Sequence, residues 1–268
     1  MPAISDPRIR TLGLQTGLAI ERGRATVREH GDAISVHTPS NPGYYFGNLL
    51  IFDRPPGVGD ELRWPMRFAQ LFAGDPRVRH AAFAWSGDDA SYADAFIERG
   101  YVVEERAVLT AAQTREYSVP EDLQVRPLDS DSDWDAQLAL GLAAREDAHE
   151  PEMYARFKQA QVAYHRRFSE SSGVWLGAFD GNRLAGSCGI YSVDDGIARY
   201  QDVGVLPQYR NRGIARGLIC AAAKLARERF GATQLVIVAE ASDFPRRIYE
   251  RCGFTLYQRE CVLWIAAR

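Results

Sequence analysis

Two arginines and a glycine lie close together in the segment RNRGIA, residues 210–215, just before a predicted helix. The first N–H groups of a helix have no intrahelical acceptor, and with the helix dipole they favour an anion such as a pyrophosphate. Gly213 has no Cβ to stand between such an anion and the amides. Arg210 and Arg212 add guanidinium groups, which suit phosphate oxygens. The segment therefore predicts an anion-binding cradle, made of Arg210, Asn211, Arg212, Gly213, Ile214 and Ala215.

Apolar periodicity predicts the elements that position this cradle. The first is a strand at 199–205 with Val203 and Val205 on one face, followed by a turn at Pro207. A helix at 215–230, which Gly231 ends, and a buried strand at 235–238 come next. A short helix follows, with start signals at Ser242, Asp243 and Pro245, and Gly253 ends it. The cradle thus lies inside a strand–turn–helix–strand–helix block, at the turn between its first strand and first helix.

Two motifs in this block resemble those of the GNAT superfamily of acyl-CoA-dependent N-acyltransferases. Arg210-x-x-Gly213-x-Ala215, preceded by Val203-x-Val205-x-Pro207, matches the family's (Gln/Arg)-x-x-Gly-x-(Gly/Ala) signature for coenzyme A. The segment 249–254, YERCGF, matches the family's terminal Tyr-x-x-x-Gly-Phe. Short patterns with wildcards recur by chance, but here both occur in order, with a helix and a strand of suitable length between them.

The resemblance implies a mixed, mostly antiparallel α/β sheet flanked by helices, and acetyl-CoA as co-substrate. Its pyrophosphate would lie on the 210–215 loop, its pantetheine would run along Val203, Gly204 and Val205, and Ser242 would be a further contact. An amine would attack the thioester directly, through a tetrahedral intermediate that a main-chain N–H stabilises. Tyr249, at the position where the family often has a general acid, would protonate the leaving thiolate; packing of a buried aromatic ring is the alternative role.

The general base is less defined. An alkylamine has a pKa of about 10.4, so a base must help it to react at neutral pH. Many family members have a glutamate on the fourth strand, where this chain has Arg199. Asp202 and Glu240 are the acidic candidates nearby, and the connection between the first two helices offers three more: Glu146, Asp147 and His149. Each could equally be a solvated surface charge, and the sequence does not choose among them.

The N-terminal part repeats the same order of elements. Residues 96–101, FIERGY, resemble 248–254, IYERCGF, and similar strands follow each. We interpret this as a diverged duplication, with a degenerate GNAT-like copy in residues 1–115 and a GNAT acetyltransferase domain in 116–268. A polar linker, residues 113–122 with Pro120, separates the two copies.

The first copy keeps the cofactor pattern only formally. Arg54-x-x-Gly57-x-Gly59 satisfies it, but Pro55 and Pro56 carry no N–H. Ile97 stands where the second copy has Tyr249. The helix that follows, 60–72, is expected to use Leu62, Met66, Ala69 and Phe72 as its apolar residues. These features predict a structural copy that helps to shape a substrate cleft.

Composition sets further limits. The 268 residues suit two domains, and the 46% hydrophobic and 25% charged residues are typical of a globular protein. A net charge of −3 does not favour nucleic acid or an anionic membrane as partner. The absence of a spanning apolar run or a signal-peptide core predicts a cytoplasmic protein. Neither the five histidines nor the four cysteines have metal-ligand or disulfide spacing, so no metal and reduced thiols are expected.

Two function classes follow from this sequence. The first is an N-acetyltransferase that acts on a primary amine of a small molecule, peptide or protein. The second is a non-catalytic acyl-CoA-binding or scaffold protein. The cradle and Tyr249 favour the first, because a scaffold needs neither, whereas the missing glutamate favours the second. The acceptor and the assembly, including a homodimer, stay open.

Overall fold

The computed structural model describes residues 9–143, 151–241 and 244–266. The helices of this part of the chain are α1 (Leu12–Glu21), α2 (Asp60–Phe72), α3 (Asp94–Ile97), α4 (Asp131–Ala143), α5 (Pro151–Ser172), α6 (Ile214–Phe230) and α7 (Phe244–Arg251). Its strands are β1 (Thr26–His30), β2 (Ala33–His37), β3 (Leu49–Phe52), β4 (Ala81–Ser86), β5 (Val102–Ala111), β6 (Gln124–Pro127), β7 (Gly173–Asp180), β8 (Arg183–Asp194), β9 (Ile197–Val205), β10 (Gln234–Glu240) and β11 (Thr255–Ile265).

The chain packs as two compact units that are discontinuous in sequence. The cradle unit contains the described residues between 109 and 237 and between 243 and 256. The N-terminal unit contains those between 2 and 108, between 238 and 242, and from 257 onwards. The predicted limits, 1–115 and 116–268, follow chain order, whereas these units do not. The C-terminal strand β11 belongs to the N-terminal unit because it pairs with β4 from Glu260↔Ser86 to Ile265↔Ala81. The division into two homologous copies stays a prediction.

In the N-terminal unit, strands β1 to β4 and β11 lie side by side in that order. β3 and β4 are parallel, and the other three pairs are antiparallel. The sequence predicted the bounds of α2 but not its buried face. Trp64, Phe68 and Phe72 are buried, whereas Leu62 and Met66 are 54% and 59% exposed. The aromatic stripe prevails because the rings at i, i+4 and i+8 bury more apolar area.

In the cradle unit, the strand order is β6, β7, β8, β9, β10. All pairs are antiparallel except β9 with β10, which is parallel, so the predicted mixed and mostly antiparallel sheet is confirmed. The parallel register covers Ile197↔Gln234 to Arg199↔Val236 and includes no residue of β9 after Arg199. Val203 and Gly204, in the later part of β9, thus lie outside the pairing with β10.

The predicted linker is a packed part of the cradle unit. A Cβ added to Gly217 of α6 would lie 2.5 Å from the backbone nitrogen of Val119, so only glycine allows this approach. The backbone N–H of Arg115 donates to the carbonyl of Cys252 at 2.8 Å, and the Cys220 thiol donates to the carbonyl of Arg115 at 3.0 Å. The segment thereby connects α6 to the end of α7, and it is not a free spacer.

Within the described ranges, every helix is too short or too polar to cross a lipid bilayer. The same residues contain no group of three or more histidine, cysteine, aspartate or glutamate side chains placed to hold a metal ion.

Candidate functional site

A cavity of about 710 Å³ opens in the cradle unit between the end of β9, the loop before α6, and α7. Most of the predicted cradle and Tyr249 line it, together with Leu140 and Ala143 of α4, which belong to no motif in the sequence. The lining residues are Leu140, Ala143, Val203, Gly204, Val205, Leu206, Pro207, Tyr209, Arg210, Asn211, Gly213, Ile214, Ala215, Arg216, Pro245, Ile248, Tyr249 and Arg251.

The floor of the cavity at α6 is a run of free backbone N–H groups. Gly213 caps the helix with a φ of 82°, and Asn211 before it has a φ of 62°. The first bond of the helix runs from the Gly217 N–H to the Gly213 carbonyl at 3.1 Å. Among the described residues, the amides of 211–216 have no hydrogen-bond acceptor. These left-handed and helical conformations together form a concave donor surface for an anion.

The arginines of the loop have different partners. Arg210 lines the cavity and donates from Nε to the Val205 carbonyl at 3.4 Å. Arg212, predicted as a cofactor contact, is absent from the lining and is bound by Asp122 through contacts of 2.8 and 2.6 Å. Arg216 lines the cavity instead, with its guanidinium 4.7 Å from the Tyr117 ring centroid. Sequence reasoning missed Arg216, although its place in the first turn of α6 was a usable signal.

A β-bulge shapes the strand side of the cavity. Ser187 pairs with Gly204 and Gly189 with Gln201, so one residue of β8 faces two of β9, Asp202 and Val203. Asp202 adopts a φ of 43°, as a bulged position allows. A Cβ on Gly204 would lie 2.8 Å from Leu140 Cδ2, so the close approach of α4 requires glycine here. The bulge and the glycine bring the predicted segment 203–205 to the cavity wall.

Tyr249 forms part of the opposite wall. It lies on α7, is 7% exposed, and lines the cavity beside Ile248. The structure therefore brings Tyr249, the segment 203–205 and the loop amides to one cavity of one unit. The matching residue of the N-terminal unit, Ile97, is 51% exposed.

The candidate bases lie elsewhere. Asp202 is absent from the lining and forms an ion pair with Lys158, with 3.2 Å between Nζ and Oδ2. Burial disfavours the Lys158 ammonium, but Asp202 and Tyr154 outweigh it and raise the pKa of Lys158. Glu240 ends β10 within the N-terminal unit. Ser242, Glu146, Asp147 and His149 lie outside the described residues.

The corresponding loop of the N-terminal unit holds a carboxylate of its own chain. Asp60 is 1% exposed and accepts the Gly57 N–H at 2.8 Å. Arg54 and Arg63 form ion pairs with the same carboxylate, with 2.7 Å between Arg63 Nη2 and Asp60 Oδ1. Burial alone would raise the pKa of Asp60, but these hydrogen bonds outweigh it and lower the pKa. Gly59 caps α2 with a φ of 84°, as Gly213 caps α6, and Asp60 accepts one N–H of the loop before it.

The family model described as acetyltransferase (GNAT) family matches residues 135–254. These residues include the cradle, the 203–205 segment and Tyr249, but they end before β11.

Similarity to single proteins extends over most of the chain. A mycothiol acetyltransferase from Pseudarthrobacter chlorophenolicus is 26% identical over 244 residues, which cover 86% of this chain and 72% of the relative. A GCN5-related N-acetyltransferase from Kribbella flavida has a TM-score of 0.66 at 15% identity, covering 95% of this chain and 96% of that one. A tandem GNAT protein from the clavulanic acid biosynthesis pathway has a TM-score of 0.57 at 10% identity, covering 95% and 88%. The structural matches show a shared fold.

Proposed function

We propose that this chain, whose residues 135–254 match the GNAT acetyltransferase family model, transfers the acetyl group of acetyl-CoA to a primary amine. One observation carries the proposal: Asn211 and residues 213–216, whose amides have no acceptor among the described residues, line the same cavity as Tyr249. The loop amides suit the diphosphate of a nucleotide carrier. Tyr249 suits proton transfer near the other end of that carrier.

The loop fits a pyrophosphate by shape and charge. Gly213 leaves the amides accessible, and even a methyl group there would lie 3.4 Å from Arg216 Nη2 in a backbone conformation that favours glycine. Arg210 and Arg216 supply positive charge at the two ends of the loop. Arg212 would contribute less, since Asp122 already balances its charge. Acetyl-CoA, when bound, supplies an activated acetyl thioester.

The segment 203–205 would guide the pantetheine arm. Because the pairing of β9 with β10 stops at Arg199, the later residues of β9 can offer N–H and C=O groups to an amide-containing chain. The β-bulge at Asp202 turns this segment towards the cavity. An N–H of the same segment would stabilise negative charge on the acetyl oxygen during attack.

Proton transfer would involve Tyr249 and a base. The amine attacks the acetyl carbon directly, the C–S bond breaks, and the Tyr249 hydroxyl gives its proton to the departing sulfur. The amine loses a proton to a base, for which Asp202 and Glu240 stay the candidates. The ion pair with Lys158 makes Asp202 a weaker base, because a nearby cation lowers the proton affinity of a carboxylate.

We also propose that the N-terminal unit is a degenerate second copy of the domain. Its support is the match over 95% of the chain to the tandem GNAT protein of the clavulanic acid pathway, together with the loop before α2, which Gly59 caps and in which Asp60 accepts a backbone N–H. In this proposal the protein binds one acetyl-CoA per chain.

A thiol-release assay tests the activity. Purified protein is incubated with acetyl-CoA and a panel of primary amines, and free coenzyme A is measured with a chromogenic disulfide. The name of the Pseudarthrobacter relative places the amine precursor of mycothiol in this panel. We expect release that depends on one acceptor class and exceeds the rate without acceptor. Acetyl-CoA binding without release on any amine would contradict the proposal and favour a non-catalytic binding protein.

A further inference from the structure

A small cavity lies in the N-terminal unit, between the hairpin of β1 and β2 and the last turn of α2. Its volume is about 130 Å³. Sites for drug-sized molecules usually measure about 300–1,000 Å³, so this cavity suits an ion or a small group rather than a whole nucleotide. The lining residues are Thr26, Arg28, His30, Ser35, His37, Leu71 and Phe72.

The hairpin brings the five polar residues of this lining to one face of the sheet. In the antiparallel register Thr26 pairs with His37 and Arg28 pairs with Ser35. Residues two apart on a strand share a face, so the whole polar set is on the same side. The opposite face of the hairpin contributes Ile34 to an apolar core with α1. The polar face is thus additional to what the packing of the sheet requires.

The composition of the lining favours an anion. Each of its polar residues can donate a hydrogen bond, and none is acidic. Within the described part of the chain, the Thr26 hydroxyl and the Arg28 guanidinium have no hydrogen-bond or ion-pair partner. A guanidinium with unused donors, beside the hydroxyls of Thr26 and Ser35, is well suited to phosphate oxygens.

Both histidines of the lining have a fixed neighbour. His30 Nε2 lies 2.9 Å from Ser35 Oγ, so each can be the donor or the acceptor of this bond. His37 Nε2 lies 3.1 Å from Asp75 Oδ2. Since an ionised carboxylate only accepts, His37 carries a hydrogen on Nε2. Two rings with defined partners therefore limit the cavity, and Asp75 itself is absent from the lining.

The carboxylates around the hairpin are paired or lie on its other face. Asp75 binds Arg77 at 2.7 Å, and this contact lowers the pKa of Asp75 although burial opposes it. Asp32, in the turn of the hairpin, forms an ion pair with Arg67 of α2 at 3.0 Å. Glu29 alternates to the opposite face of β1. An anion in the cavity would therefore meet little repulsion from these groups.

We propose that this cavity binds a small tetrahedral oxyanion, either inorganic phosphate or the phosphate group of a monoester. The Arg28 guanidinium supplies positive charge and a bidentate contact to two oxygens. The hydroxyls of Thr26 and Ser35 donate to the remaining oxygens. When Ser35 gives its proton to the anion, its oxygen can accept from His30 Nε2. Several oxygens on a tetrahedral centre match donors that come from both strands.

NMR spectra of the histidine rings, recorded on the full chain, test this assignment. Sodium phosphate replaces sodium chloride stepwise at constant pH and ionic strength. We expect the ring signals of His30 and His37 to shift with phosphate, while those of the buried His80 and His165 stay in place. A parallel titration with glycerol 3-phosphate distinguishes the two sources. Shifts with both ligands assign a phosphate group, and shifts with phosphate alone assign the free ion.

Arg28→Gln is expected to weaken phosphate binding by about tenfold or more, because a charge-assisted contact is lost. Arg28 is exposed and unpaired among the described residues, so its replacement should leave the thermal midpoint in chloride unchanged. Arg229→Gln, at an exposed arginine in the last turn of α6, is the matched control and should keep the wild-type affinity.

Three results would overturn the assignment. The first is that the signals of His30 and His37 do not respond to phosphate beyond the chloride reference. The second is that their response is the same in Arg28→Gln. The third concerns the amides of 211–216, which are another place for phosphate: the response should persist in Gly213→Glu, and its loss there would place the ion in the cradle unit. A failure of acetyl-CoA binding leaves all three readouts unaffected, because they report on the N-terminal unit.

Discussion

The buried carboxylate of Asp60 accepts the backbone N–H of Gly57 at 2.8 Å, in a loop that ends, like the cradle, on a left-handed glycine that caps a helix. In the N-terminal unit, the protein's own Asp60 carboxylate thus lies where an anion could accept this N–H. In the cradle unit, the amides of 211–216 have no such acceptor among the described residues. If the cradle binds acetyl-CoA as proposed, a glycine-capped loop has a structural role in one unit and a binding role in the other.

Asp60→Asn is expected to lower the free energy of unfolding by about 2 kcal/mol at neutral pH, because Arg54 and Arg63 lose a charged acceptor. The pKa of Asp60 is lowered in the folded state. Its stabilising contribution is therefore present above the unfolded pKa of about 3.9 and is lost as the pH falls further. Urea unfolding of both proteins should show their difference shrinking from about pH 5 to pH 2. Asp53→Asn, at an exposed neighbour, is the control, and an equal loss there would refute the role of Asp60.

Gly213→Glu is expected to abolish acetyl-CoA binding, because it places a carboxylate over the amides that receive the pyrophosphate. Isothermal titration should give one site per chain in the wild type and none in the variant. Gly231→Glu is the matched control, since Gly231 caps the other end of α6 with a φ of 63° and has open space around it. Two sites in the wild type, one of them surviving Gly213→Glu, would mean that the 54–59 loop also binds.

The two arginines that flank Gly213 should differ in their effect on affinity. Arg216→Ala is expected to weaken acetyl-CoA binding by about tenfold, because a charge-assisted contact at the cavity wall is lost. Arg212→Ala should change it by less than about threefold, because that side chain is exposed and paired with Asp122. Titration at two salt concentrations measures both. The reverse order of effects would contradict the arrangement found here.

Tyr249→Phe should lower kcat by about a hundredfold while the affinity for acetyl-CoA stays the same, because only the proton donor is removed. The measurement is the coenzyme A release assay with a responsive amine, over a range of pH. Tyr257→Phe serves as the control at an exposed tyrosine. An unchanged kcat in Tyr249→Phe would leave this residue a packing role only.

Gly217→Ala is expected to destabilise the protein by about 2 kcal/mol, although alanine is the better helix former. The added methyl group would lie 2.5 Å from the Val119 nitrogen and 2.6 Å from Val119 Cγ1, so the packed linker must move. Gly141→Ala on α4 is the control, because its nearest neighbour is the flexible Lys158 side chain at 3.5 Å. Thermal unfolding should separate the two variants, and equal stability would indicate a loosely held linker.

The local parts of the site could be predicted because they depend on neighbours in the chain. A glycine between arginines before an apolar helix determines a left-handed cap and free N–H groups, and both were found at Gly213. The bounds of α2 and α6 also follow from caps and periodicity. The buried face of α2 did not follow, because two apolar stripes compete on that helix and only packing chose Trp64 and Phe68 over Leu62 and Met66.

The sequence by itself determined the cradle and its strand, since short-range conformational rules govern the end of a strand and the start of a helix, and the resemblance to the GNAT motif singled out Tyr249. Only the tertiary structure decided which charged side chains remain available to a ligand in the cavity. Asp122 is distant in sequence from Arg212 yet pairs with it, while Arg216 reaches the cavity and Lys158 holds Asp202. It also decided that β11 pairs with β4, because strand pairing joins segments whose separation along the chain carries no local signal.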